Sequence, residues 1–171
     1  MRKGYVQVYT GNGKGKTTAA LGLAFRAAGA GLKVFIAQFI KGERCSEHLA
    51  LDRFGEAITY RRYGRGLIRG IPAEEDIAGA REGMREATDA VRSGSYDVVI
   101  LDEVNVAVFL GLIGVEEVLG LIRGKPASVE LVLTGRNAHD AVTEEADLVT
   151  EMREIKHYYE KGVKARRGIE K

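Results

Sequence analysis

The chain has 171 residues, 45% of them hydrophobic and 29% charged, which is enough for one domain with its own core and ordinary for a soluble globular protein. A net charge of +2 leaves no electrostatic footprint for nucleic acid or a membrane surface, and no apolar stretch nears the roughly 20 residues of a membrane span. The single cysteine, Cys45, excludes an internal disulfide and fits a reducing cytoplasm.

Residues 1–4 run straight into an apolar segment, so no signal peptide is expected. The first predicted strand is Tyr5–Tyr9. The glycine-rich run "TGNGKGKTTAALG" (10–22) follows it and opens a helix over Thr17–Ala30. A second strand, Lys33–Phe39, closes in "QFIKG" (38–42). A third, Ala57–Tyr63, closes in "YGRG" (63–66). A helix over Ala73–Arg92 carries Ile77, Ala80, Met84, Ala87 and Val91 on one stripe at three/four spacing. The fourth strand, Asp97–Leu101, leads into Asp102-Glu103, and a helix follows over Val115–Arg123. The fifth strand, Val129–Thr134, closes in "TGRN" (134–137), and the last is Asp147–Met152. The runs "VVIL" and "VELVL" are β-branched and nearly continuous, as strands buried on both faces must be. No repeat or low-complexity segment divides the chain, which reads as one domain over 1–171. Strand–helix alternation predicts an α/β fold with a mostly parallel sheet of about six strands and helices on both faces.

The glycine-rich loop is chemically the most specific stretch. Gly11, Gly13 and Gly15 let backbone N–H groups converge on an anion without Cβ clashes, and the helix behind directs its positive dipole end to the same point. Lys16 adds a mobile charge for phosphate oxygens, and the Thr17 hydroxyl suits Mg²⁺. The pattern is a variant P-loop, because Thr10 stands five positions before Gly15 where glycine is usual. A plain turn with solvated lysines is the alternative, and the strand–helix context argues against it. The fold expected is therefore that of the P-loop (RecA-like) NTPases. Asp102 and Glu103, behind a buried strand, would order Mg²⁺ opposite Thr17, with Glu103 a metal ligand or a general base. A surface turn bearing two solvated carboxylates is the other reading of that pair. All five polar or glycine-rich motifs fall at carboxyl ends of strands, the edge where open α/β sheets bind ligands. Together they predict a nucleoside triphosphate–Mg²⁺ site with a second ligand beside it, and leave the reaction open.

The segments "VYTGNGKGKTTAALGLAFRAAGAGLKVFIAQFIKG", "VVILDEVN", "VLTGRNA" and "EADLVTEMREIKHYYEKGVKARRGIE" together resemble the P-loop family of ATP:corrinoid adenosyltransferases. The tail is the more specific part, since generic P-loop ATPases lack it. The resemblance implies transfer of the 5′-deoxyadenosyl group of ATP to the Co(I) of a corrinoid, cobalamin or cob(I)yrinic acid a,c-diamide, with release of triphosphate. It implies that amides from Asn12 to Thr17 and Lys16 neutralise the leaving triphosphate, with Gly11, Lys14 and Thr18 completing the loop. It implies that Thr17 and Glu103, with Asp102, hold Mg²⁺, so that Lys16, Thr17 and Glu103 are the catalytic set. A nucleotide reversed relative to ordinary P-loop ATPases, a homodimer and an electron donor such as a flavoprotein reductase are also implied. Well-known members cover the lower corrin face with a Phe and a Trp in a "G-x-G-F-x-W" pattern. Here the matching run is "GRGLIRG" (64–70), with Leu67 at the Phe position and Arg69 at the Trp position. Leucine still excludes water there, whereas arginine instead suits a corrin carboxylate or a phosphate.

Arg136 and Asn137 are placed to reach ATP or corrinoid, or to form a structural turn. His139 reads as a solvated loop residue and Cys45 as a free, non-catalytic thiol. His157 either faces the corrinoid or orders the C-terminal segment, and the basic "KARRG" either seats anionic corrinoid groups or is a solvated face. The scattered histidines and the cysteine have no metal-site spacing. Two other functions stay open at this point: a P-loop ATPase or kinase that makes ADP, and a nucleotide-gated corrinoid carrier without turnover.

Overall fold

The computed structural model describes residues 3–170. Six strands form one sheet: β1 (Val6–Thr10), β2 (Val34–Gln38), β3 (Ile58–Arg62), β4 (Val98–Asp102), β5 (Glu130–Thr134) and β6 (Leu148–Glu151). Their order is β3-β2-β4-β5-β1-β6 and every pairing is parallel. Each strand lies within a residue of its expected bounds. Parallel neighbours need crossovers, supplied by α1 (Lys16–Gly29), α2 (Ser46–Leu51), α3 (Glu74–Arg92), α4 (Val104–Phe109), α5 (Val115–Gly124) and α6 (Asp140–Glu145).

The alternation of side chains along each strand builds two cores. Val34, Ile36, Val98, Ile100 and Val132 face α1 and α2. Phe35, Ala37, Val99, Leu101, Leu131 and Leu133 face α3 to α6. All five positions of β2, β4 and β5 are buried, which is why their sequences are continuous rather than alternating. Among the described residues no helix is long and apolar enough to cross a membrane.

The α3 stripe lies inward as its spacing predicted, with Ala80, Met84, Ala87 and Val91 buried. Its first turn holds Glu74, Glu75 and Asp76, and the Asp76 carboxylate accepts the Ala73 N–H at 3.0 Å. Gly83 opens a gap on this helix for Tyr63, since a Cβ there would lie 2.7 Å from the ring. Tyr63 also packs on Phe39, and its hydroxyl donates to Glu86 at 2.7 Å. That bond fastens the loop after β3 to α3. Tyr63→Phe is expected to cost about 1–2 kcal/mol in urea denaturation, because it strands a charged acceptor without leaving a cavity. A loss below a few tenths of a kcal/mol would show that solvent satisfies Glu86 equally well.

Candidate functional site

All six strands end in a polar residue on one sheet edge: Thr10, Gln38, Arg62, Asp102, Thr134 and Glu151. The register sets Gln38 beside Asp102 and Tyr9 beside Thr134, so these ends stand in a row. The loop of residues 11–15 rises from β1 into α1. Gly11 and Gly15 have φ of 91° and 123°, values that L side chains rarely adopt. A Cβ on Gly11 or Gly13 would lie 2.5 or 2.7 Å from the Met152 carbonyl oxygen. These two glycines therefore also let the chain leaving β6 pass against the loop. Gly13 N–H donates to Met152 O at 2.6 Å, an internal partner for one of the amides expected to face phosphate.

The loop lysines point different ways. Lys16 is buried, and its ammonium donates to the carbonyls of Gly11 (2.7 Å) and Gly13 (2.8 Å). Burial pulls its pKa below the ordinary lysine value, an effect that Glu103 partly opposes. Lys14 reaches the C-terminal tail, donating to the Tyr158 hydroxyl (3.2 Å), Ile169 O (3.1 Å) and Glu170 (3.0 Å). Glu170 is further bound by the Tyr158 hydroxyl and by Arg166, whose guanidinium also lies over the Tyr158 ring. The charge of Arg166, in the basic "KARRG" run, is thus engaged within the tail.

Beside the loop lies a cleft of about 780 Å³. Its floor is Lys16, Thr17 and Glu103, its apolar side Leu21 and Phe25, and its far wall His157, Gly168, Ile169 and Glu170 of the tail. Gly13, Lys14, Gly15, Thr18 and Arg136 also face it. Gly11, Asn12 and Asn137 do not line it. Leu67 and Arg69 sit outside it as well, exposed in the loop after β3, with Leu67 77% accessible.

Under the floor, the Asp102 carboxylate is buried and holds three donors. Its Oδ1 accepts the hydroxyls of Thr17 and Thr134, both at 2.8 Å, and its Oδ2 accepts Gln38 Nε2 at 3.0 Å. Glu103 caps α4 from the left-handed region (φ 64°), and its N–H is held by Thr134 Oγ1 at 3.0 Å. This sparse conformation turns the chain so that Glu103 faces the cleft while Asp102 stays beneath. Burial and the Asp102 charge raise the Glu103 carboxyl above the usual glutamate range. Lys41 approaches from the loop after β2. Burial alone would lower its ammonium, but Asp102 and a hydrogen bond to Glu47 more than offset this and hold it above the ordinary value.

Other side chains resolve more plainly. His139 Nδ1 accepts the Ala141 N–H at 3.2 Å and caps α6, so it is a structural residue. His157 accepts the Tyr159 N–H at 3.0 Å and so orders the short turn at Tyr158–Lys161, and it also lines the cleft. Cys45 is a free thiol at the start of α2. Sequence reading missed Lys41 and Gln38 as individuals, although both lie in "QFIKG". It missed His48 entirely: this histidine is fully buried in a six-residue helix too short to show periodicity.

The family described as ATP:corrinoid adenosyltransferase BtuR/CobO/CobP matches residues 2–170. A corrinoid adenosyltransferase of Pseudomonas aeruginosa is 38% identical over 170 residues, covering 98% of this chain and 84% of that protein. One from Escherichia coli is also 38% identical over 170 residues, covering 98% of this chain and 86% of its own. Among solved structures, a KaiC-like protein of Pyrococcus horikoshii superposes with a TM-score of 0.55 at 17% identity, over 87% of this chain and 73% of that one, a likeness of fold alone.

Proposed function

The chain belongs to the ATP:corrinoid adenosyltransferase family, and we propose that Lys16, Thr17 and Glu103 are its catalytic set in moving the adenosyl group of ATP onto cobalt. It is an enzyme of ATP-dependent adenosyl transfer to a corrinoid. The finer reading is that Co(I) donates its electron pair to the ribose C5′. The C5′–O bond to triphosphate breaks, cobalt becomes formally Co(III), and triphosphate leaves. No proton has to move, so the protein acts by positioning and by stabilising charge.

The observation that carries this reading is the Thr17–Asp102 contact at 2.8 Å beneath a cleft closed on its far side by the tail. Lys16 and the loop amides would hold the triphosphate, and Leu21 and Phe25 offer an apolar wall to the nucleoside. The donors meeting at Thr17, Asp102 and Glu103 are all oxygens, the set that suits Mg²⁺. Thr17 and Glu103 would hold the ion, with Asp102 steadying Thr17 from below. Bound there, Mg²⁺ supplies charge neutralisation for the triphosphate. Leu67 would exclude water from the lower corrin face, and Arg69 would meet a carboxylate or phosphate. Arg136 and Asn137 would reach either substrate. A homodimer in the cytoplasm, supplied with electrons by a flavoprotein reductase, completes the reading.

The test is anaerobic: protein, Mg-ATP and chemically reduced cob(I)alamin, followed by visible spectrum and phosphate products. Loss of the Co(I) band, a light-sensitive alkylcobalt spectrum and one triphosphate per cobalt are expected. ADP formed with an unchanged cobalt spectrum would make the chain a hydrolase or kinase. Binding of both ligands without a cobalt–carbon bond would make it a carrier.

A further inference from the structure

A chain of buried side chains runs from α2 to the P-loop threonine. Cys45 N–H donates to His48 Nδ1 at 2.8 Å. A backbone N–H can only donate, so Nδ1 must accept, and in the neutral ring the proton then sits on Nε2. Burial depresses the His48 pKa, which favours that neutral ring. Nε2 stands 2.6 Å from Gln38 Oε1 and donates to it. This fixes which end of the Gln38 amide faces which neighbour, so its Nε2 donates to Asp102 Oδ2 at 3.0 Å. The other carboxylate oxygen is thereby left to Thr17 and Thr134. His48, Gln38 and Asp102 are each at most 1% exposed, and the His48 ring is stacked on Tyr60 with centroids 5.2 Å apart. Every link has one sense only, set at one end by the Cys45 amide, which can only donate, and at the other by the Asp102 carboxylate, which accepts.

We propose that His48 is a positioning residue for the Mg²⁺–nucleotide site, acting through Gln38 to aim the Asp102 carboxylate at Thr17. The proposal rests on the reading of Thr17, Asp102 and Glu103 as that site. Without the imidazole donor the buried Gln38 oxygen loses its partner, and the amide is held from the Asp102 side alone. A Gln38 side chain free to move toward another donor for its oxygen draws its Nε2 off Asp102 Oδ2, and the carboxylate loses the contact that aims it at Thr17. Outer partners of metal ligands commonly govern metal affinity by about 10–100-fold.

Two substitutions separate the two ring nitrogens. His48→Asn retains an acceptor near Nδ1 for the Cys45 N–H and loses the donor to Gln38. His48→Gln retains a donor near Nε2 and loses the cap. Equilibrium ATP binding is measured calorimetrically without corrinoid, once with Mg²⁺ and once with EDTA. His48→Asn is expected to weaken Mg-ATP binding about tenfold and to leave ATP binding in EDTA unchanged. His48→Gln is expected to restore Mg-ATP binding to within about threefold of wild type, even with a lower Tm. Should His48→Asn fail to fold, Gln38→Met breaks the same chain one link later and is expected to give the same selective loss. Wild-type Mg-ATP affinity in His48→Asn, or a loss that tracks Tm across both variants, would overturn the proposal while leaving the site reading intact. ATP binding that does not depend on Mg²⁺ in wild type, or that is unaffected by Asp102→Asn, would overturn both.

Discussion

Lys16→Ala is expected to lower adenosyl transfer at saturating ATP by about 10²–10³-fold while leaving a folded chain, the loss typical when one preorganised donor to a developing anion is removed. On the mechanism proposed above, negative charge grows on triphosphate as C5′ is taken by cobalt, and Lys16 is the cationic side chain of the glycine-rich loop held inside the loop where it lines the cleft. Its ammonium already sits inside the loop, 2.7 and 2.8 Å from the carbonyls of Gly11 and Gly13. Those carbonyls hold it by ion–dipole contacts that phosphate oxygens can replace, so the charge is stored beside its point of use. Burial makes the cost of keeping it charged real, as the depressed pKa of Lys16 shows. Alanine relieves that cost, and thermal unfolding is expected to shift little. Lys16→Arg should not rescue, because a planar fork does not fit a point-charge seat between two carbonyls. Single-turnover measurements with cob(I)alamin make the check. Turnover within tenfold of wild type would remove the loop as the seat of the triphosphate.

What the sequence disclosed and what it hid divide along physical lines. Strands such as "VVIL" are legible because burial on both faces demands continuous β-branched runs, and α3 because nineteen residues give several turns of periodicity. The P-loop is legible because glycines, lysine and threonine at those spacings serve one chemistry. Six-residue helices such as α2 and α6 hold too few turns to show a stripe. α4 starts directly from β4 through a left-handed Glu103, a conformation no propensity predicts for glutamate. Long-range uses of local motifs were hidden as well. Gly11 and Gly13 read as phosphate-loop glycines, yet each also makes room for Met152, some 140 residues away. Lys14 reads as one residue of the loop, and nothing local shows that its ammonium reaches Glu170 in the tail. His48 shows the limit most clearly, since only the parallel pairing of β2 with β4 places Gln38 between it and Asp102.

Glu103→Gln is expected to move activity and stability in opposite directions. Turnover should fall about a hundredfold or more, since weakening the hold on the ion forfeits part of the several kcal/mol of charge stabilisation that a bound metal supplies. Without ligands the variant should melt higher than wild type at neutral pH. The Glu103 carboxylate is half-buried next to that of Asp102, and desolvation first, then the Asp102 charge, raises its pKa. The folded chain therefore keeps this proton to higher pH than the unfolded chain does. Wild-type stability falls as pH climbs from the ordinary glutamate value to the raised one, and is flat above it. Glutamine has no such proton, so the advantage of the variant is absent in acid, grows through that window and persists at neutral pH. The left-handed backbone does not confuse the comparison, because Glu and Gln bear the same strain there and the Thr134 hydroxyl still accepts the N–H. Mg-ATP should reverse the order, because it stabilises only the chain that binds it well. Melting curves from pH 4 to 8, with and without Mg-ATP, give the check. A variant less stable than wild type at neutral pH without ligand would show that Glu103 is held by partners rather than poised for a cation. Such a destabilised variant that still turned over would place the metal elsewhere.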